Sequence, residues 1–290
     1  MWWWLLIFIV LIMIFLSLLV QKLWWINNSL INRQETYVLL AWFFGMWLIW
    51  LIDDFLNIKW YWAKKWLSAK AKLIMMFIFS WLISRWFYAK LWIDYINLWP
   101  IAGRVHLWIF RPILTFIFTI AIVNAINITD WLDWLAGWLM GLELLVLSMV
   151  TFVNQTYIAT TFVVIVWAVL ASFMFFNIFP AKIFMWDSGA FAMWWLFAAL
   201  IYVLNMRIWI IIPFLILFLP FIVDICSSFL QIFWKKVFHK KLFEVAPLHH
   251  LFEKKWNHEA TIVMKRWMIQ SLLAAVFMIM MFYQIWWELI

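Results

Sequence analysis

Glycine, cysteine and charge are all scarce in this sequence. Five glycines stand in 290 residues, where an average usage of about 7% would supply roughly 20. The single cysteine, Cys226, excludes an internal disulfide and a cysteine-based metal site. Only 12% of the residues are charged and 70% are hydrophobic, which excludes an ordinary soluble globular domain.

Tryptophan is as abundant as glycine is rare, with 29 residues. Several tryptophans lie in short polar segments beside carboxylates, where a tight turn favours a residue without a Cβ atom. Aromatic belts of a membrane protein are the alternative, but belts cluster at helix ends. Because these residues also lie within apolar runs and charged loops, we hypothesise that the source organism reads one codon, UGA, as glycine. The tryptophans that suggest this most directly are Trp66, Trp131, Trp134 and Trp186.

Long apolar runs predict an all-α, polytopic membrane protein that forms one domain over residues 1–290. The first run lacks the basic segment and the cleavage site of a signal peptide, so it is predicted to be a membrane span. Pro213 and Pro220 predict a kinked or broken helix in the eighth span. The nine predicted spans are 1–20, 37–52, 73–89, 108–126, 134–153, 158–176, 189–205, 208–224 and 267–287.

Two lysine-rich connections, 53–72 and 225–266, predict the orientation in the membrane. The positive-inside rule places both in the cytoplasm, with the first residue cytoplasmic and the last external. The net charge of +8 therefore indicates cytoplasmic loops and no nucleic-acid partner. The polar segments 127–133 and 177–188 fall on the same cytoplasmic face.

Five aspartates on that face indicate the kind of reaction that the protein could catalyse. Clustered carboxylates repel one another unless a cation lies among them, and hard oxygen ligands suit a Mg²⁺ ion that also binds substrate phosphate. Nearby lysines and histidines would neutralise phosphate charge. The pattern predicts metal-assisted phosphoryl transfer at a membrane surface. The aspartates are Asp53, Asp54, Asp130, Asp133 and Asp187.

Two other interpretations stay open on the residues alone. Aspartates at helix ends also act as caps, and lysines anchor cytoplasmic loops. An ion- or proton-coupled transporter also holds acids in the membrane, although usually near the midplane on broken helices. Here the aspartates lie at span ends, which favours an enzyme. Glu143 is the exception, because it lies within a predicted span.

With glycine at the suspect tryptophans, four motifs resemble those of the phospho-N-acetylmuramoyl-pentapeptide transferases. Residues 124–134 become Asn-Ala-Ile-Asn-Ile-Thr-Asp-Gly-Leu-Asp-Gly, and 184–189 become Phe-Met-Gly-Asp-Ser-Gly. The other two motifs are Asp53-Asp54 and Ala246-Pro247-Leu248-His249-His250. The resemblance covers the whole chain in the family's order. The family has ten spans, and residues 1–3 resemble a segment before its second span, so we expect the first span to be missing.

The resemblance implies a reaction in which undecaprenyl phosphate attacks the β-phosphate of UDP-N-acetylmuramoyl-pentapeptide. The products are UMP and lipid I, a precursor of peptidoglycan. The implied enzyme is a Mg²⁺-dependent homodimer in the bacterial inner membrane, with a cytoplasmic active site. A sister reaction that uses UDP-N-acetylglucosamine is the alternative.

The resemblance also implies roles for single residues. Leu251 stands where the family often has a third histidine, and Asn57 stands where many members have lysine, so those two positions depart from the pattern. The implied catalytic residues are Asp53, Asp54, Asp187, His249 and His250, and the three aspartates are also the implied metal ligands. The implied substrate-binding residues are Asn127, Asp130, Asp133, Asn177, Phe184, Lys70 and Lys72.

Overall fold

The structure is a computed structural model, and two compact units make up the chain. The first unit comprises Met1–Ile14, Asn124–Phe184 and Pro213–Ile290. The second unit comprises Phe15–Val123 and Met185–Ile212. The described residues are 11–12, 43–45, 47–48, 50–51, 53, 70–71, 74–79, 81–82, 85, 95–98, 103–107, 110–205, 208–256 and 258–289.

A short β-hairpin in the second unit was not predicted from the sequence. Strands β1 (Tyr95–Asn97) and β2 (Arg104–His106) pair antiparallel. Gly103 has a φ of 64°, a left-handed conformation that a glycine adopts without steric cost, and its carbonyl accepts a hydrogen bond from the Leu98 N–H at 2.7 Å. The hairpin is anchored where the Asn97 N–H donates to Asn205 Oδ1 at 3.0 Å.

The remaining elements in the described part of the chain are helices, which confirms the predicted all-α fold class apart from the hairpin. Their apolar composition is that of helices that face lipid or one another. The helices are α1 (Arg111–Thr129), α2 (Leu135–Val153), α3 (Tyr157–Asn177), α4 (Trp186–Asn205), α5 (Ile211–Leu217), α6 (Leu219–Phe238), α7 (Leu248–Trp256) and α8 (Glu259–Leu289).

Helices α2 and α3 form an antiparallel pair at the centre of the first unit. A Cβ atom on Gly137 would lie 3.2 Å from Met174 Cγ, and one on Gly141 would lie 3.1 Å from Met174 Cε. Small residues in a helix interface let two helices approach closely. Fully buried leucines of α2, Leu139, Leu144 and Leu147, complete this interface.

The predicted break in the eighth span is confirmed. Helices α5 and α6 meet at an angle of 76°, and Pro220 stands in the first turn of α6, where its missing N–H costs no hydrogen bond. The predicted end at 224 is wrong, because α6 continues to Phe238. Apolar residues keep recurring at helical spacing along 225–238, and such a stripe sustains a helix.

Several helices are long and apolar enough to cross a membrane. They are α2, α3 and residues Glu259–Gln284 of α8, and the bent pair α5–α6 counts as a fourth. Shorter apolar segments, Phe116–Ile126 and Gly189–Asn205, lie in α1 and α4. The chain is thus a multi-pass membrane protein. The number of nine spans stays a prediction, since 1–20, 37–52 and 73–89 lie mostly outside the described residues.

Candidate functional site

The junction between α1 and α2 in the first unit contains Asp130 and Asp133, two of the predicted substrate-binding residues, and a third, Asn177, contacts it. Trp134 precedes α2 with a φ of 68°, which is a left-handed conformation that bulky residues seldom adopt. Its N–H donates to Asn177 Oδ1 at 2.9 Å. Asn177 is buried at the end of α3, and its Nδ2 donates to the Ile183 carbonyl at 2.8 Å. Asn177 therefore joins the start of α2 to the 178–185 loop.

Asp133 joins the same loop to α8. Its N–H donates to Glu259 Oε1 at 2.6 Å, and its Oδ2 accepts from the Ala181 N–H at 2.9 Å. Phe184 lies in that loop with 56% of its surface exposed. An exposed ring beside fixed amide and carboxylate groups is a suitable platform for a planar, hydrogen-bonding ligand. The structure thus brings Asp133, Asn177 and the Phe184 loop together.

The two histidines lie at the start of α7 in very different surroundings. The Leu248 N–H donates to Ser227 Oγ at 3.2 Å, which docks α7 on α6. His249 is fully buried, and its Nδ1 lies 3.2 Å from Asp224 Oδ2. His250 is partly exposed, with Nδ1 2.9 Å from Glu253 Oε2. The rings of the two histidines are 4.4 Å apart between centroids.

Asp224 is the centre of a buried polar cluster that sequence reasoning missed. Arg266 Nη2 donates to Asp224 Oδ1 at 2.8 Å. Thr129 Oγ1 lies 3.2 Å from Asp224 Oδ2 and 2.8 Å from the Ala125 carbonyl. We call Thr129, Asp224, His249 and Arg266 the Asp224 cluster. An aspartate within the apolar start of α6 was the available signal, because charges in membrane helices are expensive and usually functional.

The histidine pair also approaches the α1–α2 junction. The ring of Trp131, 70% exposed, lies 6.0 Å from that of His250, and Asp130 directly precedes it. The first unit therefore brings the 127–133 segment, the 177–185 segment and the histidine pair into one region. Asn127 belongs to α1, but its side chain lies outside the described residues.

Exposed lysines lie at the end of α6, on α7 and in the loop between them. In the loop between the two helices, Glu244 accepts a hydrogen bond from Lys254, which holds the pKa of the Glu244 carboxyl below its ordinary value. The surrounding positive charge attracts anions such as phosphates. The exposed lysines are Lys235, Lys236, Lys240, Lys241, Lys254 and Lys255.

Glu143 has a structural partner within the first unit. It is fully buried, and its Oε1 accepts from Gln270 Nε2 at 3.3 Å. The same Nε2 lies 3.0 Å from the Leu217 carbonyl, which ends α5 at the bend. The pair therefore ties α2 and α8 to the break between α5 and α6.

The remaining predicted site residues belong to the second unit. Asp53 is fully buried, and Lys70 is exposed. Asp187 lies in the first turn of α4, but its side chain lies outside the described residues, as do Asp54 and Lys72 altogether. Among the side chains that the structure does describe, no group of three His, Cys, Asp or Glu is arranged to hold a metal ion.

Comparison with known proteins points to one enzyme family. The family model described as glycosyl transferase family 4 matches residues 36–205. A phospho-N-acetylmuramoyl-pentapeptide-transferase of Clostridium acetobutylicum is 31% identical over 222 residues, 76% of this chain and 68% of that protein. One from Petrotoga mobilis is 30% identical over 78% of this chain and 68% of its own length. One from Dictyoglomus thermophilum is 38% identical over 55% of this chain and 50% of its own length.

Proposed function

Because the chain belongs to glycosyl transferase family 4, we propose that it transfers phospho-N-acetylmuramoyl-pentapeptide from its UDP-activated form to undecaprenyl phosphate. The phosphate oxygen of the lipid attacks the β-phosphate of the UDP-linked sugar. The bond between the two phosphates breaks, UMP leaves, and lipid I forms for peptidoglycan synthesis. The observation that carries this proposal is the convergence of the 127–133, 177–185 and His249–His250 segments in the first unit.

The nucleotide end of the substrate fits the α1–α2 junction. Asn177 and Asp133 are held by backbone hydrogen bonds, so their remaining polar atoms keep a fixed direction. A ligand that meets preorganised groups does not have to order them on binding. We assign the uridine to this region, with Asp130, Asn127 and Phe184 completing its binding site.

A Mg²⁺ ion is proposed for the second unit. Asp53, Asp54 and Asp187 all belong to that unit, and carboxylates are the hard oxygen donors that Mg²⁺ takes together with substrate phosphates. Asp53 is fully buried. When bound, the ion would neutralise charge on the diphosphate. Asp53 and Asp54 orient the lipid phosphate, and Lys70 and Lys72 attract its charge.

The location of the reaction follows from charge. The lysine-rich segments 53–72 and 225–266 are proposed to face the cytoplasm, in the inner membrane of a bacterium, and the working enzyme is proposed to be a homodimer. The bent helix pair α5–α6 is a candidate wall for a groove that takes the lipid chain, because the break directs α6 away from α5 by 76°.

UMP release tests the proposed reaction. The protein in lipid nanodiscs, with glycine at 131, 134 and 186, should release UMP from UDP-N-acetylmuramoyl-pentapeptide only when undecaprenyl phosphate and Mg²⁺ are present. Asp53→Asn should lower the rate at least about 10²-fold, which is the usual effect of losing a group that stabilises charge in the transition state. Glu244→Gln is the matched control, since Glu244 is exposed and its ion pair among the described residues is with Lys254.

Two outcomes would replace the proposal. UMP release from UDP-N-acetylglucosamine alone would establish the sister reaction. Proton-coupled flux in proteoliposomes without UMP release would establish a transporter.

A further inference from the structure

Asp224 occupies a position that no part of the proposed reaction has yet used. It is fully buried in α6 and contacts three other elements: Thr129 of α1, His249 of α7 and Arg266 of α8. An isolated buried carboxylate is costly, and Arg266 offsets that cost with a charge-assisted hydrogen bond. We propose that Asp224 is a positioning residue that holds His249 in one orientation and one tautomer for the transfer reaction.

The two carboxylate oxygens of Asp224 contact different neighbours. Oδ1 accepts from Arg266 Nη2 at 2.8 Å, and the other amino group of Arg266, Nη1, donates to the Pro220 carbonyl at 3.3 Å. This pair of bonds fixes the guanidinium against the first turn of α6, and the guanidinium in turn fixes the carboxylate. Oδ2 then faces His249 Nδ1 at 3.2 Å.

An anionic oxygen at that distance requires a proton on Nδ1. A lone pair facing a carboxylate would be repelled, so the neutral imidazole carries its proton on Nδ1 and its lone pair on Nε2. Neither ring nitrogen of His249 makes a well-aligned hydrogen bond among the described residues, so the contact with Asp224 is an approach of Nδ1 to Oδ2 at ion-pair distance. With Nδ1 facing Asp224, Nε2 is the other buried nitrogen of the ring. It is therefore the nitrogen that can accept a proton or a hydrogen bond when substrate is bound. An aspartate orients the base in the same way in serine hydrolase triads.

Only a carboxylate can accept a hydrogen bond from both neighbours. Arg266 is always a donor, so it needs an oxygen. In Asp224→Asn, the oxygen faces Arg266 and the amide NH₂ group then faces His249 Nδ1. That nitrogen must now accept, which moves the proton of His249 to Nε2. Asp224→Glu keeps two acceptor oxygens.

Nitrogen NMR tests the tautomer without any assay of activity. With ¹⁵N-histidine labelling, the chain has five histidines, and the difference from His249→Gln identifies the His249 signals. We expect a protonated Nδ1 in the parent protein and in Asp224→Glu, and a protonated Nε2 in Asp224→Asn. A protonated Nε2 in the parent protein would overturn the proposal, whatever reaction the protein performs.

Kinetics test the consequence, and this part rests on the proposed function. We expect Asp224→Asn to lower kcat by about 10²-fold, the usual size of a general acid–base contribution, with KM nearly unchanged and with activity largely retained in Asp224→Glu. In a His249→Gln background, Asp224→Asn should cost nothing further, because both changes remove one unit. An additional loss in the double variant, at unchanged Tm, would show that Asp224 does not act through His249.

Ser228→Ala is the matched control on the same helix. Ser228 Oγ donates to the backbone carbonyl of Asp224 at 3.2 Å and has no contact with its carboxylate in the described contacts. We expect the tautomer and kcat of this variant to match those of the parent protein. An equal loss of kcat in Ser228→Ala would attribute the effect to helix stability instead.

Discussion

At the scale of single residues, Trp134 shows what the tryptophan excess means. The structure places its backbone in the left-handed region, where a side chain costs about 1–2 kcal/mol and glycine costs nothing comparable. Its indole Nε1 is also buried without an acceptor among the described residues. A position that needs positive φ beside the proposed nucleotide site is a position for glycine.

The glycine hypothesis makes a direct prediction for three positions. Replacing Trp131, Trp134 and Trp186 together by glycine should raise the rate of UMP release at least about 10²-fold over that of the protein with tryptophan at all three positions. A reacting group displaced by about 1 Å can lower a rate by that much. The triple replacement by phenylalanine is the control, because it keeps the bulk and should stay inactive. The codons of the gene supply the second check: UGG at these positions would contradict the hypothesis.

At the scale of helices, the break between α5 and α6 depends on partners outside the two helices. Pro220 makes the break possible, but the Leu217 carbonyl freed at that point accepts a hydrogen bond from Gln270 Nε2 of α8, which also contacts Glu143 of α2. Backbone groups freed inside a membrane are tolerated only where they are satisfied again. The contact gives Glu143 a structural role, which the sequence did not explain.

Variants at Glu143 test this role through stability. Glu143→Gln keeps an acceptor oxygen for Gln270 and should leave the Tm in detergent nearly unchanged. Glu143→Leu removes the acceptor and leaves a buried N–H unsatisfied, which costs about 1–3 kcal/mol, so its Tm should fall. A Glu143→Leu variant as stable as the parent protein would rule out the proposed link.

At the scale of the whole molecule, orientation in the membrane follows from where the lysines lie. The proposal places the 225–266 segment in the cytoplasm and the β1–β2 hairpin outside. The chain has a single cysteine, Cys226, which can be replaced. A single cysteine introduced elsewhere then reports the side of the membrane on which it lies.

Cysteine labelling tests that orientation. In a Cys226→Ser background, Arg104→Cys should react with a membrane-impermeant maleimide in intact spheroplasts. Glu244→Cys should react only after the membrane is permeabilised. The reverse pattern would invert the topology and move the proposed active site to the outer face.

The hydrophobic pattern predicted two of the described spans closely and the polar connections poorly. Predicted spans 134–153 and 158–176 match α2 and α3 within one residue at each end, since apolar length is set by the membrane itself. The 225–266 loop instead contains the end of α6, all of α7 and the start of α8. Amphipathic helices at a membrane surface have no such length limit.

The sequence by itself determined that this is a polytopic helical membrane protein with aspartate and histidine motifs typical of phosphoryl transfer to a lipid. Those features depend on composition and on residues close together in the chain. Only the tertiary structure decided that Asp224 meets both His249 and Arg266 and that Gln270 meets both Glu143 and the bend. These contacts join residues 25 to 127 positions apart. No local pattern in a sequence specifies which buried polar groups will meet, because the folded helices alone bring them together.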